Sequence, residues 1–428
     1  MRDIFGTPEL VGSTIVLQDI VQDRVDLVYA LGKKMIQDFK LDFHLEKTLS
    51  LDEALQGADF VILTITTGRL ESMRPDLEIP AKYGIKQSVG DTTGPGGLSR
   101  ALRNIPVVAE IGRMVMEICP NALFLNYTNP MTVLTRVLAM QSVRVVGLCH
   151  EWIGVREHLA HVFETKPENI TAKIAGVNHL IWVTDLYADG KRVFAELPAI
   201  TEQVLSGNIK VDADDTSVFA DHAKVKSTLF QLYGALPAAG DRHTAEFFPH
   251  FINESTNWGR DYDVILTSVE DRFALEAEAK RLIESALRGD VPLEPFMQDV
   301  STEAANKIIR AVTSGEKYVG IMNLPNVGQI GNLSYNAIVE TYGVIDSLGA
   351  NAITYGDVPV GVQNILEHHV RQQELTVTAA LEGDREIALQ ILLNDPLSSR
   401  LTIPQARQLL NELLEANQAY LPLFFDKQ

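Results

Sequence analysis

Cysteine is nearly absent: Cys119 and Cys149 are the only two in 428 residues. Two are too few for a disulfide framework and fit a reducing compartment. Positive charge is also short, with 37 Lys and Arg against 56 Asp and Glu, a formal net charge of −19. That excludes the basic footprint that nucleic acid requires and attraction to an anionic membrane surface. No apolar run approaches the ~18–20 residues of a membrane span. Met1-Arg2-Asp3-Ile4-Phe5-Gly6 has no apolar stretch of signal-peptide length. Internal repeats and low-complexity segments are lacking too. These deficits describe a soluble cytoplasmic chain, with neither nucleic acid nor membrane as partner. What is present is apolar material, 46% of residues, ample for a large core split over two or three units.

The first part alternates strand and helix. Thr14 to Asp19 is a short apolar run closed by an acid, and Asp23 to Lys40 has apolar residues near helical spacing. Leu41 to Thr48 alternates as a strand, and Ser50 to Gln56 reads as a short helix with Glu53 completing a capping box. Ala58 to Ile65, Ala122 to Leu125 and Arg144 to Leu148 are further strands. Arg100 to Ile118 reads as a helix interrupted early by Pro106. Repeated strand–helix units with continuous apolar strands predict a parallel, doubly wound α/β sheet over 1–150. Beyond residue 150 the pattern turns to mixed α+β, a second unit over 151–428. Its strands are read at Thr171 to Val177, Leu180 to Tyr187 and Tyr318 to Asn323. Long helices are read at Val264 to Leu287, Val362 to Ala380 and Pro404 to Ala416.

A dinucleotide lies over the carboxyl ends of such strands. Asp19, closing the second strand of that pattern, is placed either for the adenosine ribose or to cap the next helix. One part is missing. The opening strand and the glycine-rich turn, whose amides receive a pyrophosphate, are absent, because Met1 to Ile4 reads as the tail of the first helix. Gly6 and Gly12 come too late to serve. The expectation is that the natural start lies upstream by roughly 20–25 residues, the length of a strand, a turn and part of a helix. Failing that, the protein has lost ordinary NAD binding; micromolar binding of NAD by this chain would require another segment, such as Thr66-Thr67-Gly68, to cradle the phosphates.

The strongest chemical signal is Val146-Gly147-Leu148-Cys149-His150-Glu151 followed by Gly176-Val177-Asn178-His179. Thiolate and imidazole suit a borderline divalent metal, and two protein ligands leave positions open for a substrate. Asn126-Tyr127-Thr128-Asn129-Pro130-Met131 precedes this pair. Further upstream lie Gly90-Asp91-Thr92-Thr93-Gly94-Pro95-Gly96-Gly97 and Arg103-Asn104-Ile105-Pro106. Downstream lie Tyr233-Gly234 and Gly240-Asp241-Arg242-His243 with Glu246-Phe247. In this order and spacing, from about Asp3 to the C-terminus, these pieces resemble glycoside hydrolase family 4, the glycosidases that depend on NAD and a divalent metal.

The resemblance implies an NAD-binding Rossmann-like sheet, NAD and Mn(II) or a similar ion as cofactors, and a homodimer or homotetramer. It also implies a mechanism outside the usual carboxylate pair: oxidation at the sugar's C3, proton loss at C2, elimination of the C1 oxygen, water addition and return of the hydride. Cys149 and His179 match the family's metal ligands. Asn129 and Asn178 match residues that hold sugar hydroxyls, Asn129 being also a plausible Asx-Pro turn. Thr66 and Asn126 fall on the cofactor side. Asp241 is the expected base, with Tyr233 in reserve, and His150 the expected acid for the leaving oxygen. Asp91 orients His150 or the sugar, or caps its own turn. Cys-His-Glu resembles the α-galacturonidases, although Trp152 stands where a small aliphatic residue is usual. The carboxylate of a uronide needs a cation, with Arg242, Arg260 and Lys226 as candidates. Alternatives are an α-galactosidase or α-glucosidase of the same family, a 2-hydroxy-acid dehydrogenase of the lactate/malate type, or a sensor that has lost catalysis.

Overall fold

Short apolar runs become strands wherever both faces can be covered. The computed structural model describes all residues except 213–214, 216, 299–300 and 426–428. Strand β1 (Thr14–Gln18) pairs in parallel with β2 (His44–Thr48), Ile15 opposite Leu45. Helix Gln22–Asp38 connects them. Strands β3 (Phe60–Leu63), β4 (Leu123–Asn126) and β5 (Val145–Gly147) are parallel neighbours. All four residues of β4 are buried, as a strand covered by helices on both faces requires.

The second half supplies β6 (Ile170–Val177), β7 (Leu180–Ala188), β8 (Lys191–Arg192), β9 (Leu236–Pro237), β10 (Tyr318–Pro325), β11 (Ile338–Asp346) and β12 (Gly349–Ala352). These do not form a sheet of their own. The order is β3-β4-β5-β10-β11-β6-β7-β8, with β9 on β7 and β12 on β11. The join is antiparallel, Asn323 of β10 against Gly147 of β5. Helices Val360–Glu382, Arg385–Asn394 and Ile403–Ala416 return to the parallel half. There Val377, Leu392 and Leu410 share a core with Phe124, Leu134 and Ile105.

Among the described residues no strand joins β1 to β3, and Ile62 on the open edge is 40% exposed. Arg2–Phe5 is a helical turn whose Phe5 packs on Phe43.

Three local expectations are corrected. Helix Gly94–Ile118 starts six residues early and runs through Pro106 without a break. Leu102, Ile105 and Val108 on its buried face outweigh the roughly 3 kcal/mol that an interior proline costs. Ser50 does cap Leu51–Leu55, but the Glu53 carboxylate takes the Thr48 hydroxyl rather than closing a capping box. Helix Arg69–Lys82, with Pro75 and Pro80 inside it, and strand β11 went unread.

Candidate active site

Four loops converge beyond the strand ends. After β5, Leu148, Cys149 and His150 lead into helix Glu151–Val162. Asn178 and His179 form the tight turn between β6 and β7. Only glycine fits at 176, since a Cβ there would lie 2.3 Å from the Leu180 carbonyl oxygen. His179 itself has φ +64°, a conformation L residues adopt at a cost and often for function. The loop ahead of helix Gly94–Ile118 carries Asp91 and Thr92, and the helical turn Asp241–Thr244 carries His243.

Asp91, His179 and His243 offer three ligand atoms that all lie within 4.8 Å of one another. The two imidazoles face each other with centroids 3.9 Å apart. Thr92 Oγ1 donates to Asp91 Oδ1 at 2.8 Å and sits 2.8 Å from His179 Nδ1. Its one proton goes to the carboxylate, so this network assigns the ring proton to Nδ1 and leaves Nε2 of His179 its lone pair. Burial, then the neighbouring His243, pushes His179 down to about 3. Burial alone would raise Asp91, but His243, Arg100 and His179 reverse it and hold the carboxyl well below its usual range. A charged carboxylate thus faces neutral imidazole, a donor set suited to a divalent cation.

Cys149 lies next to this cluster through Glu151, which also meets His243 Nε2 at 3.7 Å. Burial first, then Glu340 and Glu151, pushes the thiol up. Glu340 is itself pushed to about 7 by burial and accepts from Asn178 Nδ2 at 3.1 Å. The Oδ1 atoms of Asn129 and Asn178, and Nδ1 of His243, are buried with no partner among the described residues. Buried polar atoms without partners call for a ligand or ion, and these oxygens, nitrogens and a thiol fit a manganese-like ion and sugar hydroxyls. Asn129 Nδ2 also donates to Asp91 Oδ2 at 3.2 Å, which ties Asn129 to the carboxylate of the cluster.

Other expected residues stand elsewhere. Asp241 is 3% exposed. Its two oxygens accept from the amides of Val225 and Lys226 at 2.9 and 3.0 Å, and Lys226 Nζ lies 2.9 Å from Oδ1. It anchors helix Lys224–Tyr233 rather than standing free as the base expected of it. Lys226 is likewise locked to Asp221 and is no carboxylate receptor. Tyr233 packs on Trp182 and Phe248, with no polar contact to the cluster among the described residues. Arg260 lines a surface pocket with Lys86 and Trp258.

His150 is exposed and meets Glu303 at 3.2 Å, and this hydrogen bond, ahead of the opposing burial, raises its pKa. Asp19 accepts from Val21 N at 2.9 Å in a turn ahead of helix Gln22–Asp38, whose N-cap is Val21 and not Asp19. Asn126 is committed to Thr128 and Thr135, so its amide serves the loop and not a cofactor. Thr66 accepts from Arg100, whose Nε donates to the Asn129 carbonyl at 3.0 Å. His243, Glu340 and Arg100 were missed as site residues. His243 was within reach, since Asp241-Arg242-His243 was already in view, but Glu340 sits in the unread strand β11.

Residues 1–165 match family 4 glycosyl hydrolases, and residues 174–398 match the C-terminal domain of the same family. An alpha-galacturonidase from Thermoanaerobacterium saccharolyticum is 34% identical, over 96% of this chain and 91% of that protein. One from Bacillus subtilis is 36% identical, over 86% of this chain and 84% of that protein. The crystal structure of lplD from Bacillus subtilis superposes with a TM-score of 0.86 at 31% identity, covering 96% and 95% of the two chains. The 6-phospho-beta glucosidase of Thermotoga maritima, solved with manganese, NAD+ and glucose-6-phosphate, shares the fold at 23% identity and a TM-score of 0.76, over 96% and 92% of the two chains. The chain belongs to family 4 of the glycosyl hydrolases, an enzyme family with a Rossmann-type sheet, and the dehydrogenase alternative is set aside. Among the described residues no helix is long and apolar enough to cross a membrane.

Proposed function

We propose that this chain hydrolyses a non-phosphorylated α-glycoside, an α-galacturonide, using NAD and manganese or a similar divalent ion. The carrying observation is the Asp91–His179–His243 cluster beside Cys149, in a chain 34–36% identical to two proteins named alpha-galacturonidase. Cys149 and His179 would hold the metal, with Asp91 supplying negative charge and His243 beside them. A metal bound there would supply Lewis acidity toward sugar oxygens. Asn129 and Asn178 orient hydroxyls through their partnerless Oδ1 atoms. Arg242, buried and with Thr267 as its side-chain hydrogen-bond partner among the described residues, meets the uronide carboxylate. His150, raised by Glu303, keeps a proton near neutrality for the leaving oxygen. Asp19 and Thr66 remain on the nucleotide side. The enzyme works in the cytoplasm as a homodimer or homotetramer, without nucleic acid or membrane partners.

The test is turnover of p-nitrophenyl α-D-galacturonide with NAD and Mn(II), each omitted in turn. Loss of turnover on either omission is expected. Full activity after chelation and dialysis would overturn the cofactor assignment.

A further inference from the structure

Glu246 is 2% exposed, and its carboxylate is spent on the loop that carries Asp91. Its Oε1 accepts from Val89 N at 2.6 Å and from Gly90 N at 2.9 Å. Its Oε2 accepts from Gly90 N at 3.2 Å and from Gln87 Nε2 at 3.3 Å. Gln87 extends the brace to the far end of the loop. Its Nε2 also donates to the Thr93 carbonyl at 2.8 Å, and its Oε1 accepts from Gly96 N at 2.8 Å. Between these ties stand Asp91 and Thr92, which meet His179.

The loop follows a path that needs such acceptors. Gly90, directly before Asp91, is left-handed at φ +69°, and a Cβ there would lie 2.4 Å from Leu77 Cδ2. Buried amides at a reversal of this kind are costly unless paired, and one carboxylate serves two of them with charge-assisted bonds. Glu246 stands on the turn Ala245–Phe247, which directly follows the turn Asp241–Thr244 bearing His243. The Ser88 hydroxyl adds a second tie, to the Arg242 carbonyl of that same turn. One buried side chain thus sets the separation of the Asp91 loop from the His243 turn. The ligand atoms of Asp91, His179 and His243 lie within 4.8 Å of one another, a spacing that a shift of about 1 Å would spoil.

We propose that Glu246, with Gln87 as its companion, is a positioning residue that holds Asp91 at the distance from His179 and His243 that metal binding and turnover require. It acts through its reach to the Val89 and Gly90 amides rather than through its charge. This rests on the metal-dependent glycosidase reading above.

The test compares wild type, Glu246→Gln and Glu246→Asp. Mn(II) affinity is read from the electron paramagnetic resonance of free Mn(II), and kcat and KM on p-nitrophenyl α-D-galacturonide at saturating Mn(II). Thermal unfolding with chelator present reports the fold. Glu246→Gln keeps the length and an oxygen for both amides, so its Mn(II) affinity and kcat should stay near wild type. Glu246→Asp keeps the charge but is one methylene short. Its Mn(II) affinity should fall by about 10-fold or more, and kcat by a similar factor with KM less affected. If Glu246→Asp does not fold, Gln87→Met takes its place, with a fall in Mn(II) affinity expected and an unchanged affinity overturning the proposal. A Glu246→Gln loss as large as that of Glu246→Asp makes charge the operative property and overturns it. A Glu246→Asp protein that unfolds earlier yet binds Mn(II) and turns over like wild type overturns it too, since Glu246 would then be a structural anchor alone. A wild type that binds Mn(II) but leaves the galacturonide untouched overturns only the substrate assignment, and the Mn(II) comparison still decides the role of Glu246. A wild type that binds no Mn(II) overturns the metal reading and this one together.

Discussion

The half-buried thiol of Cys149, pushed up by desolvation and by the acids Glu340 and Glu151, keeps its proton until a cation arrives. Metal uptake at Cys149 must release that proton, so affinity rises with pH. Cys149→Ser should weaken Mn(II) binding by about 100-fold or more while the fold persists, because a hydroxyl cannot supply thiolate affinity. Titration calorimetry checks this, and unchanged binding would remove Cys149 from the ligand set. Glu340 makes the matching stability prediction. Burial raises it from the ordinary 4.5 to about 7, so the folded state holds a proton that the unfolded state has lost between those values. Stability of the metal-free protein is therefore full below about pH 4.5 and falls as pH rises toward 7. Glu340→Gln should remove that slope, worth on the order of 2–3 kcal/mol by linkage. Denaturant titrations with chelator present, at pH 5 and 7.5, measure it. Identical slopes in both proteins would contradict the account.

At the scale of elements, the cap on helix Lys224–Tyr233 decides what Asp241 does. Asp241→Asn leaves Lys226 with Asp221 alone and should destabilise the protein by about 3 kcal/mol, the usual cost of breaking a buried pair, with kcat of the folded enzyme nearly unchanged. A collapse of kcat with stability intact would return Asp241 to the role of base. The strands carrying Cys149 and Asn178-His179 were legible because continuous apolar runs admit little else. Pro106 misled because a local penalty was weighed without the burial of Ile105 and Val108. Glu340 was not legible as a site residue. Its meaning lies in the burial that surrounds it across the fold, which leaves no mark in sequence spacing.

At the scale of the whole molecule, one sheet carries both halves. β5 supplies the thiol loop, the β6–β7 turn supplies His179, and β10 and β11 hold these edges in register. The C-terminal helices brace the parallel strands from behind, so the metal cluster rests on elements from the full length of the chain. The central claim is that this framework supports elimination across C1 and C2 rather than displacement between two carboxylates. Hydrolysis of protiated p-nitrophenyl α-D-galacturonide in D2O, with NAD and Mn(II), tests that claim most directly. The account predicts that the galacturonate released carries deuterium at C2, read by NMR or mass spectrometry. Product that keeps protium at C2 through complete turnover would contradict it.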